Sequence, residues 1–312
     1  MVDLKLQLPP NYLKEEVRCE FVIDRKRKEI WAVELDLLSE FDRVCKKYGL
    51  RYSAEGGTLL GAIRHKGFIP WDDDIDIAMP RADYKKFEEI AGKEFCYPYF
   101  WQTEETESGT MRGHGQLRNS ETTAILTLEK GKNIQFNQGI FIDIIPFDNI
   151  PDSEGEMLKQ YNKIVKLKKK ARFYADMSIH FSPEYKYSKN EIKNLLKKKV
   201  LHPIISTYCN WFNYQKVYGQ FEKLCEKYNC ITTRRIADLC LPVGIERMQR
   251  KSTDFDNLEY ADFEFLKIPI YKNWKENLTI SYGEDFMVFK KGGTEHGGLI
   301  FDTNKSYMTY LK

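Results

Sequence analysis

The run Trp71-Asp72-Asp73-Asp74-Ile75-Asp76-Ile77 restricts what this chain can become more than any other stretch. Four acids fall within five positions, and apolar residues alternate with the last of them. Such alternation marks a half-buried strand. Successive side chains on a strand point to opposite faces, so Asp74 and Asp76 are predicted to share one face while Ile75 and Ile77 enter a core from the other. Two carboxylates held side by side raise each other's pKa. A divalent cation removes that penalty. A set of paired carboxylate oxygens suits Mg²⁺ or Mn²⁺, above all where substrate phosphates complete the coordination. A merely solvated acidic turn is the plain alternative, but it leaves the apolar alternation without a cause. An EF-hand loop fits poorly, because its glycine and distal glutamate are missing.

Upstream, Arg51 to Glu55 reads as a short strand and Thr58 to Ile63 as a helix, with Gly56-Gly57-Thr58 between them. Backbone N–H groups without Cβ obstruction at a helix start can cradle a phosphate. Alone the glycines signal a tight turn; paired with a downstream D-x-D strand they become informative. Downstream, Gly139 to Pro146 is the strongest strand, dense in Ile and Phe, and it carries Asp143. An acid inside an apolar strand is costly unless it has a partner. Asp143 is therefore a candidate metal ligand, a candidate general base, or one half of a structural ion pair.

The stretch from Glu55 to Tyr84, E-G-G-T-L-L-G-A-I-R-H-K-G-F-I-P-W-D-D-D-I-D-I-A-M-P-R-A-D-Y, resembles the signature of the LicD family. The resemblance continues through G-I-F-I-D-I-I-P-F-D at 139–148 and returns weakly at 265–287, where Tyr271 stands at a position the family more often gives to proline. It implies an α+β fold: a nucleotidyltransferase-like mixed sheet flanked by helices, with an additional helical region. It also implies a transferase that moves phosphocholine, or a similar phospho-alcohol, from CDP-choline or a related CDP-alcohol to a glycan or lipid-linked sugar acceptor, releasing CMP. A nucleotidyltransferase that attaches the NMP itself is the alternative. Carried over, the family pattern makes Asp74, Asp76 and Asp143 the catalytic and metal-binding carboxylates of an Mg²⁺ or Mn²⁺ site. Gly56, Gly57 and Thr58 become the phosphate-side turn. Arg64, His65, Lys66 and Arg118 are candidate phosphate contacts. Trp71, beside the acids, is the first choice for a cation–π contact to a trimethylammonium group.

Composition bounds these expectations. A chain of 312 residues that is 42% hydrophobic can bury a sizeable core. With 49 basic against 46 acidic residues, its net charge of +3 argues against a nucleic-acid partner. Seven scattered cysteines without a C-x-x-C pair read as reduced thiols rather than a zinc site. The N-terminus lacks the pattern of a signal peptide, and no apolar run is long enough to span a bilayer. A cytoplasmic location is expected.

Residues 24–48 follow helical spacing and end at Gly49, a natural C-cap. Strands are expected over 74–79, 97–102, 114–119 and 122–128, and helices over 82–91 and from the S-x-x-E capping box at Ser153 to about Asp176. Further helix is expected from Lys189, broken near Pro203 and resumed to Tyr228, and again over 274–282. A soft boundary near 150 divides a catalytic module, 1–150, from a helical and mixed part, 151–312, that completes the substrate site. Residues 159–202 hold 13 Lys and Arg against 3 acids, an asymmetry hidden by the near-neutral total. A solvated helical face accounts for it; so does a platform for peripheral contact with an anionic membrane.

Overall fold

The computed structural model describes residues 1–127, 134–178, 213–241, 244–290 and 298–311. A hairpin of β1 (Glu16–Arg18) and β2 (Phe21–Ile23) leads into α1 (Arg25–Tyr48). Asp24 caps α1, its Oδ1 accepting from the Arg27 N–H at 2.8 Å. Gly49 ends the helix at φ +64°, the left-handed conformation glycine adopts without steric cost. Both boundaries expected from the sequence agree.

Next come β3 (Ser53–Ala54), α2 (Gly56–His65), β4 (Asp76–Pro80), α3 (Arg81–Glu94), β5 (Tyr99–Gln102), β6 (Gly115–Asn119), β7 (Thr123–Leu126) and the long β8 (Ile140–Ile150). Helix α4 (Glu154–Ser178) follows Ser153, whose carbonyl accepts from the Met157 N–H. The stretch from Lys189 past Pro203 lies outside the described residues. Its resumption appears as α5 (Tyr214–Cys225) and a 3₁₀ turn to Tyr228. Then come β9 (Arg235–Asp238), β10 (Gln249–Lys251), the hairpin of β11 (Leu258–Phe263) and β12 (Leu266–Tyr271), α6 (Trp274–Tyr282) and β13 (Leu299–Asp302).

The architecture is α+β, a seven-stranded mixed sheet flanked by helices. β8 is its centre. One edge of β8 pairs parallel with β4, which pairs antiparallel with β3. Along the other edge β6 and β9 lie end to end, both antiparallel, β6 opposite Ile140–Ile144 and β9 opposite Phe147–Ile150. β5 extends β6, and β10 extends β9. The parallel register of β4 and β8 puts Asp76 directly beside Asp143. Helix α1 packs on β6 and β8, and α3 on β4 and β8. The main core includes Trp31, Phe41, Ile77, Ile142 and Ile144 from these elements and Phe263, Ile270 and Tyr271 from the C-terminal hairpin. A second core joins α4 and α5 to Met111, Ile150 and Leu239. Among the described residues no helix is long and apolar enough to cross a membrane.

Candidate active site

The acidic run is held from both sides. Behind it, the Asp72 carbonyl accepts from Arg27 Nη1 at 2.7 Å and from Trp31 Nε1 at 3.1 Å, both on α1. Ahead of it, the Asp143 N–H donates to the Ile75 carbonyl, and the Asp76 N–H donates to Thr58 Oγ1 at 2.8 Å. The ladder begins only at Asp76, so Asp74 stands in the extended segment before β4 rather than on the strand. The two carboxylates nevertheless converge. Asp74, Asp76 and Asp143 each bring an oxygen within 4.8 Å of the others, and Asp72, Asp73 and Asp74 do the same. Asp74 belongs to both groups.

This crowding has an electrostatic cost. Burial pushes the Asp74 carboxyl well above the usual carboxylate range, and the charges of Asp76, Asp72, Asp143 and Glu34 add to the effect. Asp143 goes the other way. Burial alone would raise it, but His114 and Gln116 outweigh burial and hold it at about 2. His114 Nε2 lies 3.1 Å from Asp143 Oδ1, and Gln116 Nε2 donates to the same oxygen at 2.6 Å. One face thus gathers acids that cannot all remain ionised without a counter-charge. An all-oxygen carboxylate set of this kind fits Mg²⁺ or Mn²⁺.

The glycines explain how the acids approach the start of α2. A Cβ on Gly56, which has φ +53°, would lie 3.2 Å from Asp76 Oδ2, and one on Gly57 would lie 2.7 Å from Asp72 Oδ2. Both glycines begin the helix that the sequence reading started at Thr58. Thr58 itself fixes the Asp76 backbone. The Gly56 N–H donates to Glu55 Oε1, the cap of α2. Glu55 is in turn clamped by Arg250, which reaches both its oxygens, and by the Tyr271 hydroxyl at 3.0 Å.

Each of the remaining candidates has its own partners. Arg64 and His65 form the last turn of α2 and Lys66 caps it, about 13 Å along the axis from Gly56 at 1.5 Å per residue. Arg64 Nη1 donates to the Phe286 carbonyl, and its Nε donates to His65 Nε2 at 2.9 Å. Burial, with Arg64 and Arg18 nearby, lowers the His65 ring to about 4. The Lys66 carbonyl accepts from the Glu264 N–H, while its side chain is exposed. Arg118 is 1% exposed on β6. It donates to Gln102 Oε1, to the Gly139 carbonyl and to Gln116 Oε1, and so braces the glutamine that holds Asp143. Trp71 is buried, with Phe21 and Phe289 edge-on to its ring at 6.1 and 5.4 Å.

Sequence reasoning missed His114, Gln116 and Arg250. Gln116 had a usable signal: it is two residues before Arg118 and shares its strand face. His114 and Arg250 owe their roles to strand register, which no local pattern shows.

Residues 49–182 match the family described as LicD/FKTN/FKRP, nucleotidyltransferase domain, a span that includes every carboxylate of the cluster. Across 262 residues, 82% of this chain and 90% of the relative, the sequence is 28% identical to the lipopolysaccharide cholinephosphotransferase LicD of Haemophilus influenzae. A shorter stretch of 51 residues is 45% identical to the human ribitol 5-phosphate transferase FKRP, covering 16% of this chain and 10% of that protein.

Proposed function

We propose, from the match of residues 49–182 to the LicD/FKTN/FKRP nucleotidyltransferase domain, that the chain is a phosphotransferase. In this reading it moves phosphocholine, or a similar phospho-alcohol, from a CDP-linked donor to a sugar hydroxyl of a cell-surface glycan. The observation that carries the reading is the convergence of Asp74, Asp76 and Asp143 on one face. Two of the relatives matched are named as transferases of choline phosphate and of ribitol 5-phosphate, which supports a phospho-alcohol as the transferred group.

Asp74, Asp76 and Asp143 would hold Mg²⁺ or Mn²⁺. When bound, the cation neutralises donor phosphate charge and polarises the transferred phosphoryl group. The acceptor oxygen bonds to phosphorus, the bond from that phosphorus to the bridging oxygen breaks, CMP leaves with the electron pair, and the hydroxyl proton is lost late, to water or to the departing CMP phosphate. The in-line transition state is loose, so positioning and charge matter more than a strong base. Asp143 suits a ligand better than a base. Held at about 2, it is a poor proton acceptor near neutral pH. Its Oδ1 is occupied by His114 and Gln116, which leaves Oδ2 to the cluster. Residues 1–150 then supply the catalytic carboxylates, and residues 151–312 complete the site by clamping Glu55 from β10 and β12.

The test is incubation with CDP-choline, CDP-ribitol and CDP-glycerol plus Mg²⁺, with and without glycan acceptor, while free CMP is measured. Acceptor-dependent CMP release from at least one donor is expected. CMP attached to the acceptor would instead identify a nucleotidyltransferase. Asp143→Asn should lower kcat strongly and leave the donor KM within a few-fold. A destabilised variant with normal specific activity would reduce Asp143 to a structural role.

A further inference from the structure

Where β6 and β9 meet along the edge of β8, the ladder is interrupted. β6 starts at Gly115, opposite Ile144, and β9 ends at Asp238, opposite Phe147. Ile145 and Pro146 lie between, and Pro146 has no N–H to carry either ladder across. His114, one residue before β6, and Asp238, the last residue of β9, therefore come to the same gap. The segments around them are tied together. Cys240 Sγ donates to the Gly113 carbonyl, and Lys168 of α4 donates to the carbonyls of both Arg112 and Cys240.

Two buried polar atoms at this junction lack a hydrogen-bond partner, His114 Nδ1 and Asp238 Oδ2. Buried polar groups are rarely left so. Their other atoms are engaged: His114 Nε2 with Asp143 Oδ1, and Asp238 Oδ1 with the N–H groups of Cys240 and Leu241. Asp238 is fully buried. Burial raises its carboxyl to about 6, against the pull of the Cys240 N–H, His114 and Lys168. One water between Nδ1 and Oδ2, with the carboxyl proton of Asp238 directed toward Nδ1, satisfies both atoms and leaves the ring's own proton on Nε2, beside Asp143 Oδ1.

We propose that Asp238 and His114 are positioning residues for Asp143, with Asp238 fixing the ring orientation and tautomer that present the His114 Nε2–H to the Asp143 carboxylate. The outer partners of metal-binding carboxylates act in this manner, and their loss typically weakens metal affinity or activity 10- to 100-fold. The proposal rests on the reading of Asp143 as a ligand, so its test includes signals that do not require turnover.

Asp238→Asn is the decisive variant, because its amide oxygen can keep the Cys240 and Leu241 contacts while Oδ2 is replaced by an amide nitrogen. Long-range ¹H–¹⁵N spectra of the histidine rings should show the His114 Nδ1 resonance moving in this variant. Mn²⁺ binding followed by electron paramagnetic resonance should weaken about tenfold, with a melting temperature near the parent's. With a CDP-linked donor, kcat should fall and the donor KM stay within about twofold. An unmoved Nδ1 resonance together with parental Mn²⁺ affinity would overturn the proposal. His114→Gln is the second variant, able to donate toward Asp143 but cut off from Asp238. Adding Asp238→Asn to it should cost no further Mn²⁺ affinity, whereas additive losses contradict the coupling. If Asp238→Asn does not fold, parental Mn²⁺ affinity in His114→Gln overturns the proposal alone. If the parent releases no CMP from any donor, the proposed function fails, while the ring spectra and Mn²⁺ binding still judge the positioning pair.

Discussion

Asp74 carries most of the like-charge repulsion in the cluster, since it belongs to both carboxylate groups and its carboxyl is raised by burial and by three neighbouring aspartates. Asp74→Asn or Asp76→Asn should reduce CMP release on the order of hundredfold or more, through lost charge neutralisation at the transferred phosphoryl group. The metal-free variants should melt at or above the parental temperature, because repulsion is relieved. Parental turnover in either would remove the metal assignment. Glu222 on α5 offers a test away from the site. Burial, with Glu105 and Glu88 nearby, raises its carboxyl from 4.5 to about 7 despite Lys85 and Arg81. A folded pKa above the unfolded one gives stability that is present below pH 4.5 and lost as pH rises through about 7. Glu222→Gln should therefore match the parent at pH 5 and melt higher at pH 8, by about 2 °C for each 1 kcal/mol of relief. Equal melting at both pH values would contradict the shift. At this scale Asp74, Asp76 and Asp143 were legible because acids within apolar alternation are costly and need a reason. His114 and Gln116 were not, because each looks like an ordinary polar residue until register sets it against Asp143.

The element that organises the site is α2. Its N-terminus meets the acids, and its cap, Glu55, is buried against Arg250 of β10 and Tyr271 of β12. Breaking a buried pair from one side leaves an uncompensated charge, which costs about 3–5 kcal/mol. Arg250→Met should lower stability by that order in urea unfolding, and a loss below about 1 kcal/mol would show that Glu55 is neutral or otherwise partnered. Helix α1, with its Asp24 cap and Gly49 terminus, could be read from the sequence because capping chemistry is local. Helix α2 was read two residues short at each end, at its start because Gly56-Gly57 resembles a turn. Here tertiary contacts override the local preference. The glycines are helical, and their missing side chains admit Asp76 and Asp72. Strand β4 likewise begins at Asp76 rather than Asp74, because the Asp72 carbonyl is anchored to α1 and the chain must still turn toward β8.

In the whole molecule the long-range question is what the basic stretch does. Lys168 was expected among the surface lysines of residues 159–202, but it reaches inward to the Arg112 and Cys240 carbonyls, and burial lowers its pKa. Lys169 and Lys170 are exposed on α4. Lys168→Glu should therefore destabilise the fold, while Lys169→Glu with Lys170→Glu should leave it intact and report on peripheral membrane contact. Salt-sensitive sedimentation of the parent with anionic vesicles, lost in the double variant, is the expected result. Equal sedimentation of both would leave these two lysines as a solvated face. The α+β class and the mixed sheet followed from the sequence because alternating patterns and the LicD-like signature agree. The end-to-end placement of β6 and β9 did not, since it depends on two separate pairings along one edge of β8, the farther of them joining Phe147 to Asp238. The most direct test of the central claim is the mass of the acceptor glycan after incubation with protein, Mg²⁺ and the CDP-alcohol that releases CMP. A gain equal to the phospho-alcohol, absent with Asp74→Asn, is the result expected; an unchanged acceptor, or one that gains CMP, would contradict phospho-alcohol transfer.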